Sequence, residues 1–187
     1  MRIAITGGIG SGKSFVCRKL GERGISVYDC DSAAKRLMRS SLYIRSALCR
    51  LVGDDVYSGD MLQKRVLATF LLASDSNRIA VNDIVHPAVA ADFVASGLIW
   101  LESAILFDSG FDKRVAFDHT VCVCAPLHTR IARVMARDGI SRAKALEWIG
   151  QQLPQADMAS RCDYVIHNDG TSDLDSQIDD MLASLLK

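Results

Sequence analysis

The octapeptide Gly7-Gly8-Ile9-Gly10-Ser11-Gly12-Lys13-Ser14 constrains the fold more than any other stretch of the chain. Just before it, Arg2 to Thr6 reads as a short strand; after it, Lys13 to Arg23 has helical composition, with Gly24 as a natural stop. A strand that runs through G-x-x-x-x-G-K-[ST] into a helix lets the glycine backbone curl until successive N–H groups point inward. The helix N-terminus adds positive potential, Lys13 neutralises outer phosphates, and Ser14 offers a hydroxyl to Mg²⁺. Gly8, Gly10, Ser11 and Gly12 therefore line a phosphate cradle. A merely glycine-rich turn would need neither the full pattern nor these flanking elements. At Phe15, next in the chain, only the backbone N–H can serve an α-phosphate.

The rhythm continues. Ile25 to Tyr28 alternates as a second strand, and Ser32 to Arg39 is helical. Further strands are expected at Leu98 to Leu101, His119 to Cys124 and Tyr164 to His167, the last followed by a helix to the C-terminus. Alternation of this kind predicts an α/β fold of the P-loop NTPase type, a parallel sheet flanked by helices. The segment 42–97 breaks it with helical patterns and no convincing strand, far more chain than a crossover needs. A nucleotide-binding core of 1–41 and 98–187 with a helical insertion at 42–97 is the expected organisation. Pro87 predicts a break inside the insertion, one helix ending near His86 and another starting at Pro87.

Composition narrows the function classes. Over 187 residues the 22 basic side chains balance 22 acidic ones, which weakens any reading as a broad nucleic-acid or anionic-membrane binder. With 49% hydrophobic and 24% charged residues, intrinsic disorder and disulfide miniproteins are disfavoured. No apolar run reaches the ~20 residues of a spanning helix. The glycines follow Thr6 too closely for a secretion signal, so a reducing cytoplasm is expected. Of the six cysteines only Cys122 and Cys124 are close, on one face of a strand, and no second pair supplies zinc spacing.

In an open parallel sheet, ligands collect at the carboxyl ends of the strands, which puts Asp29 and Asp31 beside the loop. Asp31 can accept the proton of an acceptor hydroxyl, or it can cap the helix that begins at Ser32; its position allows both. Asp29 would orient its neighbour or the metal. Within 126–152, Arg130, Arg133 and Arg137 fall in a roughly 60° arc beside Leu127, Ile131, Val134 and Met135. Such a charge run is usually a solvated face, but in this fold an arginine-bearing hairpin between late strands can close as a lid. His86 alone reads as structural, and Glu102 either contacts metal-bound water or ends a strand.

Four features together resemble the dephospho-coenzyme A kinase family, nearly end to end. They are the Ile5 to Ser14 opening, the Val27-Tyr28-Asp29-Cys30-Asp31 element, the His86-Pro87 pair, and Arg137-Asp138-Gly139 through Asp163 to Gly170. The resemblance implies ATP-dependent phosphorylation of the ribose 3′-hydroxyl of dephospho-coenzyme A, giving coenzyme A and ADP, with Mg²⁺ held at Ser14. It implies Asp31 as base, Lys13 and Arg137 at the transferring phosphoryl, the 42–97 insertion as acceptor site with Arg65 and His86, and a lid at about 126–152. Asn168 and Gly170 would lie near the adenine. The family often has Thr where this chain has Phe15, Pro-Leu-Leu-Phe-Glu where it has Ala104 to Asp108, and Lys where it has Met158. A P-loop kinase for another small hydroxyl or nucleotide acceptor is the same-fold alternative, and a non-catalytic nucleotide switch is the other. No nucleic-acid or membrane partner is expected, and the chain is expected as a monomer or weak homo-oligomer.

Overall fold

A computed structural model describes residues 1–185; the expected C-terminal helix is seen to Leu185, and its last two residues lie outside the described range. The chain divides into two compact units, 1–28 with 98–187 and the intervening 29–97.

The first unit is built on β1 (Ile3–Thr6), α1 (Lys13–Glu22) and the start of β2 (Val27–Asp29). After the second unit, composed of α2 (Cys30–Ser40), α3 (Leu42–Val52), β3 (Tyr57–Ser58), β4 (Met61–Leu62), α4 (Lys64–Ala73) and α5 (Asp75–Ser96), it resumes with β5 (Trp100–Glu102). Then come β6 (His119–Cys124), α6 (Leu127–Asp138), α7 (Arg142–Gly150), α8 (Gln155–Ser160), β7 (Tyr164–His167) and α9 (Leu174–Leu185). The five-stranded sheet has the order β2-β5-β1-β6-β7, and its β1–β5, β1–β6 and β6–β7 pairs are parallel. Parallel strands bury both faces, and alternation sorts them. Val121, Val123 and Ile166 join Val16 and Leu20 of α1 and Ile178 and Met181 of α9 in one cluster. Cys122 and Cys124 point the other way, into a smaller cluster with Met158. The lysine that the family often carries at 158 is thus a methionine that is 1% exposed.

The second unit differs from expectation in three places. It includes α2, which packs on α3 and α5 of the unit 29–97. Within it β3 and β4 form an antiparallel hairpin around Gly59-Asp60, with Gly59 at φ 57°, a turn the short flanking runs disguise. Pro87 does not end a helix, because α5 runs unbroken through it. Proline inside a helix forfeits a backbone bond and crowds the preceding turn, at a cost of ~3 kcal/mol. Here Val81 and Val85 before it and Val89, Ala90 and Phe93 after it are all buried, so packing holds the helix on both sides. Asp83, whose carbonyl would have accepted the bond, and Pro87 are both exposed. Among the described residues no helix is long and apolar enough to cross a membrane.

Candidate active site

The loop after β1 enters α1 through Gly12, whose φ of 92° only glycine adopts readily, and no side chain caps that helix. The N–H groups of Gly10, Gly12 and Ser14 meet no acceptor among the described residues. Ser11 N–H closes a turn onto Gly8 O at 3.1 Å. Lys13 is 8% exposed; its Nζ donates to Gly7 O at 2.7 Å and lies 3.7 Å from the Glu102 carboxylate. Glu102 at the end of β5 therefore faces the loop lysine. The hydroxyls of Thr6 and Ser11 are buried with no hydrogen-bond partner among the described residues. Orphaned hydroxyls, unspent N–H donors and a buried cation in one loop fit a polyphosphate. Ser14 is exposed, and its hydroxyl bonds no protein group among the described residues, as a hard-cation ligand requires. At Phe15, 41% exposed, the Arg18 guanidinium stacks on the ring at 4.6 Å, and the N–H expected to serve an α-phosphate donates instead to Gly12 O at 3.0 Å.

The outer wall of the loop comes from α6 and α7. Ile9 N–H donates to Gln152 Oε1 at 2.7 Å, and Ile9 O accepts from Arg130 Nε at 2.9 Å. The Ile9 side chain packs into the apolar cluster that joins α6 to α7 around Ile131, Val134 and Ala145. Arg133 donates to Ser11 O at 3.2 Å and to Asn168 Oδ1 at 3.3 Å, while Asn168 Nδ2 donates to Ser11 O at 3.0 Å. Asn168 is itself fixed by its N–H on Cys124 O at 2.7 Å, which extends the β6–β7 pairing. Gly170 follows in a turn at φ 97°. That turn is tied down by Asp169, whose carboxyl is held well below the ordinary range by the N–H groups of Ser172 and Thr171.

The three arginines of the arc part company. Arg130 is buried and Arg133 reaches the loop, but Arg137 is 60% exposed in its side chain and pairs with Asp138 at 2.7 Å. Leu127, placed on the apolar stripe by periodicity, is exposed. The wheel set Arg130 at the border of that stripe, the one signal of its burial; nothing in the sequence marks Gln152.

In the second unit, Asp29 and not Asp31 caps α2, accepting from Ser32 N at 3.0 Å and from Ser32 Oγ at 2.7 Å. Burial pushes the Asp29 carboxyl up, but the hydrogen bonds from Ser32 and the Asp31 N–H prevail and leave it below the ordinary value. Asp31 is exposed, and its carboxylate holds no hydrogen bond or ion pair among the described residues. Arg65, likewise unengaged, lines a cavity of about 510 Å³ with Val52, Val66, Thr69, Phe70 and Ala73. His86 is half-buried on α5 and does not line that cavity.

These features meet a consistent set of relatives. The dephospho-CoA kinase family model matches residues 1–173. A Bacteroides fragilis dephospho-CoA kinase is 40% identical over 192 residues, covering 99% of this chain and 93% of that protein. The crystal structure of TT1252 from Thermus thermophilus superposes with a TM-score of 0.82 at 33% identity, covering 100% of this chain and 96% of the other. A shikimate kinase from Bacteroides thetaiotaomicron, TM-score 0.60 at 15% identity over 100% of this chain and 99% of the other, shares the fold alone. With a loop built to hold a polyphosphate and a match that runs through both units, the chain belongs to the dephospho-CoA kinase family.

Proposed function

We propose that this member of the family transfers the γ-phosphoryl group of ATP to the ribose 3′-hydroxyl of dephospho-coenzyme A, with Asp31 as the base. The reading is carried by one observation: the family match covers 1–173, and so includes the phosphate loop and the helical unit alike. In the transfer the 3′-oxygen attacks the γ-phosphorus in line, the bond to the bridging oxygen breaks, ADP leaves, and the hydroxyl proton passes to the acceptor's base. Asp31 suits that role because Asp29 has taken the capping position, which leaves the Asp31 carboxylate unspent. Lys13 and the loop N–H groups stabilise the charge on the phosphoryl oxygens, and Arg137 joins them from the hairpin 126–152, acting as a lid. Ser14 would hold Mg²⁺, which would supply positive charge against the developing charge of the transferring phosphoryl group. Arg65, beside its apolar cavity, receives an anionic group of the acceptor, and His86 contributes from α5. Asn168 and Gly170 border the adenine. The reaction belongs to the cytoplasm, where the six free cysteines stay reduced.

Incubating the protein with ATP, Mg²⁺ and dephospho-coenzyme A, and fragmenting the product by mass spectrometry, tests reaction and regiochemistry together. Coenzyme A phosphorylated at the 3′-position is expected. A product phosphorylated elsewhere, or ATP bound without transfer, overturns the reading.

A further inference from the structure

Taking the nucleotide from the function above, we propose that Arg130 is a positioning residue for the β- and γ-phosphates, a buried cation held behind the loop that turns its donors inward and attracts the phosphate charge. Arg130 is 5% exposed. Its Nε donates to Ile9 O at 2.9 Å. The rest of the guanidinium lies against Gly8, where an added Cβ would stand 2.3 Å from Nη2 and 2.8 Å from Cζ. No carboxylate pairs with it among the described residues; the ionisable groups beside it are the thiols of Cys124 and Cys122. The other buried cation of the loop, Lys13, has Glu102 for company.

A trans peptide points its carbonyl and the following N–H in opposite directions. Drawing Ile9 O outward onto Arg130 therefore turns the Gly10 N–H toward the inside of the loop, and the Arg133 and Asn168 contacts on Ser11 O do the same for Gly12. A neutral amide at 130 could brace Ile9 equally well. A guanidinium does not shed its charge, and enclosing one without a counter-charge is costly unless an anion answers it. The Arg130 guanidinium rests on the backbone of Gly8 and Ile9, and from so close and buried a position its attraction for phosphates held by the loop is little screened. The burial that depresses the Arg130 pKa is the same desolvation an incoming polyphosphate would compensate.

The test compares the full-length protein with Arg130→Gln and Arg130→Lys, titrating adenosine, ADP and ATP calorimetrically without acceptor, with melting temperatures taken in the absence of nucleotide. Gln keeps a donor for Ile9 and loses the charge. Arg130→Gln is expected to bind ADP and ATP about tenfold more weakly and adenosine within about twofold of wild type, with the KM for ATP rising and kcat within about threefold. Arg130→Lys should bind ADP within about threefold of wild type. Equal weakening of adenosine and ADP, or unchanged ADP affinity in Arg130→Gln, overturns the proposal. Should Arg130→Gln not fold, the lysine variant decides, and a loss beyond about tenfold there overturns it. Coenzyme A formation by the wild type is assayed alongside: if that fails while ADP binding follows the charge at 130, the kinase reading falls and the phosphate role of Arg130 stands.

Discussion

The phosphate loop and the helical unit 29–97 hold their shapes by different means. Around the loop, polar groups are assigned one by one: Ile9 to Gln152 and Arg130, Ser11 to Arg133 and Asn168, and Lys13 to Gly7 and Glu102. The helical unit relies on apolar contact among α2, α3, α4 and α5, with Ile44, Leu48 and Phe93 fully buried. Directional bonds fail singly when one partner is removed, whereas apolar packing answers mainly to volume. Substitutions in the two regions should therefore differ in kind.

The sharpest break of that contrast is Lys13→Ala. It removes the cation from the cradle, and turnover should fall by ~10³-fold or more, read as coenzyme A formed at saturating ATP; loss of less than tenfold would unseat the loop from the chemistry. Asp31→Asn comes next, with turnover down ~10²- to 10⁴-fold and melting temperature unchanged, since Asp29 and not Asp31 secures α2. A variant within a few-fold of wild type removes Asp31 from the mechanism. In the helical unit, Leu48→Ala should lose ~2–5 kcal/mol of stability in urea titration. Leu48→Met should stay under ~1.5 kcal/mol. Equal cost for both would show that shape governs this unit as tightly as the loop. Arg137→Ala, at an exposed position, should lower turnover about tenfold with ATP affinity and stability little altered; a matching loss of affinity alone makes it a ground-state contact.

The smallest effect is acid sensitivity at Asp29. Its carboxyl is depressed in the folded state, so the stability it contributes is fully present above the ordinary carboxylate pKa of ~4 and is lost as pH falls through the lower folded value. Asp29→Asn, which caps α2 at any pH, should flatten the decline in melting temperature below about pH 4 relative to wild type. An identical decline in both would assign the acid sensitivity elsewhere.

The same contrast explains what could be read in advance. Strands β1, β6 and β7 and the loop are visible because their signals are local: β-branched runs beside a glycine pattern with one physical use. Pro87 misleads because local rules place a break there, and only the packing of Val85, Val89 and Phe93 overrides it. Asp31 reads as a possible cap because the helix is expected from Ser32; α2 begins two residues earlier, at Cys30, and the bond from Ser32 gives the cap to Asp29. Gln152, and the bond that takes Arg130 to the loop, escape local rules for another reason, since both meet the loop across more than a hundred residues of chain.

The attachments of Ile9 have a consequence for exchange of parts between kinases. Its N–H, its carbonyl and its side chain all engage residues of the α6–α7 hairpin and the turn after it. A chimaera that imports 126–152 from a homologue while keeping the native loop would separate a plug from its socket. The transferable cassette is discontinuous, the loop with the hairpin and Asn168, and a crossover point placed after β6 divides it.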